Sequence, residues 1–562
     1  MKNRKFRVFA AMLCVMMLLL FTFSACSGDG NTSGDEQSTA GSAVQTAGEN
    51  NQAGTVEENT LPIADGDVDL SIYCGFAGGA RQVYNSMAEM AVVQQMMKET
   101  GINLTFVHPP EQDDGTFFTT MIASGDYPDI ISHVFNTYPG GPTAAMDDGV
   151  ILDATELILS KASYYNELLD RLDPEVREKK IWSDDGRIIR FGTVFVPEYL
   201  DGHAHGGFLV RKDLLEEAGI TELPKTIDDY EAMFEAFQQQ GKLPWTLAMK
   251  EWQNERYSPV ASAFGITYRK THLEGDSIVY SRTSPRYKEY LEVMNRWYEK
   301  GFFNSDSLTQ LTAEAQKKFQ SGDAGAIICG SWEVITLESV GQANEPGLEV
   351  VGLPFPRVSE EDSVDTMLEF FENPDPSRSA YISAQCENPE AAVRFVDYLY
   401  RPETVMMTAW GVNTDEYTLW TEDESGTRSW TEFMTDNPDF DYEIGRQRYT
   451  ANALQGEWET QMEKLQYDIP QVQQAWSAWE DGTTNSAVPT RFMTQTTEEA
   501  REISQLLTQI ETYGDETVFA FITGQKPLDE FDSFVEELKA LGTDRLCELY
   551  QAAYDRYQAR SQ

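Results

Sequence analysis

Positive charge is scarce in this chain. Its 562 residues hold 43 Lys and Arg against 92 Asp and Glu, for a net charge of −49. That balance argues against nucleic acid, whose phosphates are held by Lys and Arg, and against adhesion to an anionic lipid surface. Histidine is rarer still, at five residues, and no G-x-S-x-G elbow accompanies His108, His133, His203, His205 or His272, so nothing nominates a nucleophile and its base. His203 and His205 could chelate a metal, but no cluster at ligand spacing supports them and a plain loop pair is the simpler reading. Phosphate loops and dinucleotide fingerprints are absent. The run Asp436, Asn437, Asp439, Asp441, Glu443 is rich in hard oxygen ligands but lacks the glycine of a calcium loop. No cofactor or metal is assigned. Of six cysteines, Cys74, Cys329, Cys386 and Cys547 are far apart and form no CxxC. Cys74 and Cys329 sit in apolar runs and read as buried free thiols, with a disulfide left open. Beyond residue 26 no apolar run is long enough to span a bilayer.

The positive features begin at the N-terminus. Lys2, Arg4, Lys5 and Arg7 precede an uncharged apolar run from Val8 to Phe23, the pattern of a secretion leader. The run ends Phe23-Ser24-Ala25-Cys26, small residues before a Cys. Residues 27–62 contain no Lys or Arg and almost no large apolar group, so they cannot bury enough surface to offset ordering and read as a flexible tether. From residue 63 strands alternate with helices: strands at Val68–Tyr73, Asn103–Val107 and Ile130–Phe135, and a helix from about Val83 to Thr100 with Gly101 as its stop. That alternation indicates a parallel α/β sheet, with ligands expected at the carboxyl ends of its strands. The loops at Phe76, His108, Asn136-Thr137-Tyr138 and Arg211–Asp213 would then share one rim. A chain this long exceeds one core, so two lobes are expected. The C-terminal third reads as helix-rich, with Thr496 and Glu499 capping a helix whose Ile503, Leu506, Leu507 and Ile510 share a face, and a further helix ending at Gly524.

The stretch Phe208–Phe237 carries the clearest local logic. Phe208-Leu209-Val210 is an apolar strand run, Arg211-Lys212-Asp213 a charged interruption, and Gly219 a helix stop. Thr226 with Asp229 is a capping-box variant, and Ile227, Tyr230, Met233, Phe234 and Phe237 fall on one helical face. A strand ending in Arg-x-Asp, followed by such a helix start, resembles family 1 extracellular solute-binding proteins. Further segments are similar to that family: Ala123-Ser124-Gly125-Asp126-Tyr127-Pro128-Asp129, Phe319-Gln320-Ser321-Gly322-Asp323-Ala324-Gly325-Ala326, Asn388-Pro389-Glu390-Ala391-Ala392, and Phe521-Ile522-Thr523-Gly524 of its long lipoprotein branch. Leu214 stands where the family usually has Trp, so no role of that Trp transfers. Residues 23–26 likewise resemble a lipobox, which makes Cys26 the lipid-bearing residue.

The resemblance implies a type II periplasmic-binding-protein-like α/β fold: two lobes with a hinge and a helix-rich C-terminal extension. The expected division is a signal peptide at 1–26, the tether at 27–62, an N-terminal lobe from 63–200 plus 376–412, and a C-terminal lobe from 201–375 plus 413–562. It implies a monomeric, lipid-anchored subunit outside the cell membrane. Such a subunit captures a carbohydrate, an oligosaccharide in this branch, and passes it to the permease of an ABC transporter. Aromatic residues make up 12% of the chain, with 11 Trp, and flat rings stack on sugar faces. The candidate ligand contacts are Trp332, Trp245, Trp252, Trp410, Tyr199, Tyr138, Phe76, Arg211, Asp213 and Glu251; for each aromatic a core role is the competing reading, and for Arg211 and Asp213 a mutual ion pair. Two alternatives stay open. One is an anchored glycoside hydrolase, for which no carboxylate pair is nominated. The other is a surface sugar sensor.

Overall fold

The computed structural model describes residues 56–560, apart from 111–113, 134, 136–137, 195–202, 205, 250–258, 269–270, 367–374 and 485–486. The leader with Cys26 and most of the tether lie outside the described residues, as do Tyr199, His205, Glu251 and Trp252. Residues 56–62, expected in the tether, are instead docked. Asn59 is 3% exposed, and its amide donates to Arg394 O at 2.8 Å and Asp397 Oδ2 at 2.9 Å. Glu57 pairs with Lys161 at 2.8 Å. A polar residue with a complete set of partners can be ordered without an apolar anchor.

Among the described residues the larger sheets hold nine strands: β1 (Val68–Tyr73), β2 (Ile102–Val107), β3 (Ile130–Ser132), β4 (Phe191–Thr193), β5 (Gly206–Arg211), β6 (Leu243–Trp245), β7 (Ala324–Gly330), β8 (Val350–Gly352) and β9 (Asp375–Ile382). The first sheet has the order β2-β1-β3-β9-β4 and the second β8-β5-β7-β6. Both lie within one contact unit, Gly54–Gln562. β1 runs parallel to β2 and β3, as the alternation of strands and helices requires. The sheets are nevertheless mixed. β9 enters antiparallel between β3 and β4, and β5 is antiparallel to both β7 and β8.

Local signals account for most of the elements. Gly101 takes a left-handed φ of 68° and ends the helix Ala91–Thr100. That helix starts later than expected because Met90 is extended, with a separate short turn at Met87–Glu89 capped by Ser86. Asp129 closes the turn Ala123–Asp129 against β1, accepting from Ser71 N at 2.8 Å and Ser71 Oγ at 2.6 Å. In the second sheet, Thr226 and Asp229 form a reciprocal capping box on the helix Ile227–Gln239. Its Ile227, Tyr230, Met233, Phe234 and Phe237 are all buried. Gly325 lets that helix approach: a Cβ there would lie 2.3 Å from the ring of Phe237.

Each sheet has its own core. The first gathers Leu70, Ile72, Ile130, Phe191 and Phe395. The second gathers Phe208, Val210, Phe234, Trp297 and Ile328, and extends into the C-terminal helices through Ile510, Phe521 and Phe534. One expected boundary moves. Residues 442–457 pack on the first core rather than the second: Gln447 and Arg448 bind Gly79, and Ala451 and Leu454 are buried there. The free thiols of Cys74 and Cys329 are buried in the two cores.

The C-terminal region holds a single helix, Thr497–Ile522, where two were expected. Gly514 sits inside it without breaking it. Arg282, 0% exposed, crosses at this point and donates to Asp515 Oδ1 at 2.5 Å. A Cβ on residue 514 would lie 2.3 Å from Arg282 Nη1. Gly514→Ala gains about 1 kcal/mol of helix propensity but forces a fully buried guanidinium off its partner, which costs more. The variant should lose about 2 kcal/mol net, read as a lower urea midpoint; a raised midpoint would show that Arg282 has room to yield.

Candidate ligand-binding site

A cavity of about 460 Å³ opens where β1 and β3 end, in the size range of small-molecule sites. Ile72, Ile130 and Phe191 of the sheet, with Phe395 and Leu399 of the helix Pro389–Tyr398 and its continuation, form its apolar floor. Its polar rim carries Arg81, Ser132, His133, Thr193, Asn452 and Gln455. No Asp or Glu is among the described residues that line it, although acids outnumber bases twofold in the chain.

Phe76, singled out from the sequence, stands in this wall on the loop after β1. Its ring stacks on His108 at 4.5 Å and 22°, and His108 stacks in turn on Phe106 at 5.6 Å. The guanidinium of Arg81 lies 5.2 Å from the Phe76 centroid and donates to Phe76 O and Pro109 O. Met87 N donates to His108 Nε2 at 3.2 Å, so that nitrogen is an acceptor and Nδ1 carries the proton, given to Cys74 O at 3.1 Å. Burial, with Arg81 nearby, holds the His108 ring below the usual imidazole range. The layer is therefore a neutral, pre-ordered aromatic ledge. The same burial pushes the Cys74 thiol up to about 12, which leaves it inert.

The opposite wall comes from Asn452–Gly456. It is tied to β4 by Thr193 Oγ1 donating to Gln455 O at 3.0 Å and by Val194 N donating to Gly456 O at 3.1 Å. Trp458 N returns a bond to Val194 O at 2.9 Å, while the half-buried Trp458 side chain packs on the second core. Two chain passages between the cores thus run side by side.

The other aromatic candidates take different places. Trp245 is 1% exposed and packed among Phe208, Phe234, Trp297 and Phe303. Trp410 is 0% exposed, stacked near Trp430 and bonded to Glu459 Oε2 at 2.8 Å. Both are core residues and neither lines the cavity, whereas Phe76, itself 6% exposed, does. Tyr138 leaves the rim, its hydroxyl donating to Asp148 Oδ2 at 2.7 Å. Trp332 stays half-buried just beyond the end of β7.

Arg211 and Asp213 are a structural pair. Arg211 is 3% exposed and binds Asp213 through two nitrogens and Glu345 Oε2 at 2.5 Å. Gly206 pairs with Gly330 across β5 and β7, so Arg211 lies five residues away from the strand end that carries Trp332, roughly 17 Å along the strand. The two cannot share a rim. Glu345 reaches Arg211 over Gly322, where a Cβ would lie 2.5 Å from Glu345 Oε2. The Arg-x-Asp strand end and the Ser-Gly turn of the resembling segments therefore meet in one ion cluster.

Sequence reasoning missed a stack at the other end of β5. His203 lies on Trp476 at 4.3 Å and 4°, Trp476 on Tyr467 at 5.5 Å, and His203 Nδ1 meets Glu480 Oε1 at 2.9 Å. The helical spacing of Trp476 and Glu480 was the available signal.

The profile described as bacterial extracellular solute-binding protein matches residues 84–406, more than half of the chain. The chain belongs to this family. No curated protein matches it. Solved structures share the family fold at low identity. The alginate-binding protein AlgQ2 is 17% identical with a TM-score of 0.67, covering 88% of this chain and 99% of that one. An HMO-binding, ABC-transporter-associated solute-binding protein of Bifidobacterium longum infantis is 15% identical with a TM-score of 0.71, at the same coverage. The S. pneumoniae substrate-binding protein FusA, solved with kestose, is 19% identical with a TM-score of 0.69, covering 87% and 99%.

Arg211→Ala strands Asp213 and leaves Glu345 to Lys242 alone, and should cost about 2–3 kcal/mol of stability. Ligand affinity should stay within twofold. A loss of affinity larger than tenfold in a folded variant would return Arg211 to the binding site.

Proposed function

We propose that this protein is the capture subunit of an ABC importer, held at the outer face of the membrane by lipid on Cys26. It takes an uncharged oligosaccharide and delivers it intact to a permease. The observation that carries the reading is the cavity at the strand ends, with the Phe76–His108 ledge on one side and no carboxylate among its described lining residues. Flat rings stack on sugar faces. A hydrolase acting here would need two carboxylates flanking the scissile bond. The net charge of −49 repels anionic glycans. Alginate, HMO and kestose appear in the descriptions of structures with the same fold, which agrees with a glycan ligand.

The mechanism is closure. The first body comprises residues 63–194 and 375–457, which keeps Trp420 and Trp430 with Trp410, and the second the remainder from 203, with the chain passing between them after Val194, before Asp375 and near Glu457. The paired passages at Val194 and Glu457 act as a two-stranded hinge. Ligand on the Phe76 ledge is met from the second body by Trp332 and Trp458, whose half-buried rings lie beyond β7 and beside the hinge. A ligand closes the protein only by its differential affinity for the closed form. Micromolar binding supplies roughly 8 kcal/mol for this. The closed form is what the permease recognises.

Titration calorimetry of the purified protein against neutral oligosaccharides, acidic oligosaccharides and peptides tests the ligand class. Neutral glycans should bind in the micromolar range, and Phe76→Ala should weaken them at least tenfold; heat from peptides alone would overturn the assignment. Cys26→Ala should abolish incorporation of labelled fatty acid and release the protein from cells. Retention of label would place the anchor elsewhere.

A further inference from the structure

Arg190 is the residue just before β4, and it is 3% exposed. Its Nη2 donates to Arg491 O at 3.3 Å, and its guanidinium lies 5.8 Å from the Phe492 centroid. Its Nε and Nη1 have no hydrogen-bond partner, and no carboxylate among the described residues pairs with it. Other buried arginines in the chain differ: Arg211 holds Asp213 and Glu345, Arg282 holds Asp515, and Arg560 holds Asp184.

Arginine does not shed its proton in a protein, so this charge cannot be relieved by titration. Leaving a buried charge uncompensated is among the costliest arrangements available. The hydroxyl-bearing rings that feel it, Tyr165 and Tyr381, are phenols whose burial holds their pKa above the usual value, so neither serves as a counter-charge. Asp184, which binds Thr494 on the adjoining loop, is held by Arg560 and faced by Arg556.

Arg190 lines a small separate cavity of about 40 Å³, between Gly140–Pro142 on one side and Thr490–Gln495 on the other. The lining contains two arginines, Arg190 and Arg491, and no acid. One water needs about 10–15 Å³ measured this way, so the space takes about three waters, or one small anion with a water, and not a sugar.

We infer that this cavity is a binding site for a small inorganic anion of halide size, beside the guanidinium of Arg190. The anion completes the charge balance between β4, which walls the ligand cavity, and the loop that leads into the helix Thr497–Ile522. Binding there is independent of the glycan reading.

The test uses bromide as the probe, on the whole protein. Thermal midpoints are measured as sodium gluconate is replaced by sodium bromide at constant ionic strength, and anomalous diffraction is collected from crystals grown in bromide. The wild type should gain stability saturably, and one anomalous peak should lie in the cavity beside the Arg190 guanidinium. Arg190→Gln should lose both. If that variant does not fold, Arg190→Lys keeps a charge while removing the fork, and should bind bromide at least tenfold more weakly. Identical wild-type midpoints in gluconate and bromide, or water alone in the cavity, would overturn the site. So would an equal shift in wild type and Arg190→Gln.

Discussion

The complete burial of β5 is the constraint on which the second body depends. All six residues from Gly206 to Arg211 are buried, covered by the helix Pro470–Trp479 on one side and by Phe234 and its neighbours on the other. Gly207 makes this possible. A Cβ there would lie 2.6 Å from the indole of Trp479, whose Nε1 donates to Phe208 O at 2.9 Å. A strand buried on both faces has no place for an unpaired charge, so its last residue, Arg211, must be neutralised where it stands. Asp213, Glu345, Gly322 and Lys242 are arranged to do so. The ion cluster is a consequence of the strand's burial.

The first body follows a different logic. Its sheet ends in a ledge of stacked rings whose members are neutral, and the wall opposite is made by a segment from far along the chain, Asn452–Gly456. Gly456 is tight there because a Cβ would lie 2.9 Å from Leu399 O and from the Tyr400 ring. The ligand wall and the hinge therefore share residues: Thr193 and Gln455 line the cavity while their immediate neighbours bond across the passage. Any ligand that shifts Gln455 acts directly on the hinge.

Much of the fold was legible because its signals are local. The Thr226 and Thr496 capping boxes, the Gly101 stop and the buried face of Ile227–Phe237 each need only a few neighbouring residues to be read. The site was harder. Trp245, Trp410 and Trp332 have similar sequence surroundings, and what separates them is which side of a sheet or helix the tertiary structure covers. Arg211 looked like a ligand contact because Glu345, its decisive partner, is 134 residues away. Nothing in the sequence around Gly514 shows that Arg282 crosses it. The wall at Asn452–Gly456 left no pattern at all, since backbone pairing with β4 asks little of side-chain identity.

The docking of Asn59 has a mechanical consequence. Its bonds go to Arg394 and Asp397, on the helix Pro389–Tyr398 of the first body, and that same helix floors the ligand cavity. Whatever pulls on the chain ahead of Val56 is thus transmitted to the half bearing the Phe76 ledge. On the proposed closure, that half is the fixed jaw of a vice, and the half built around β5 is left to travel.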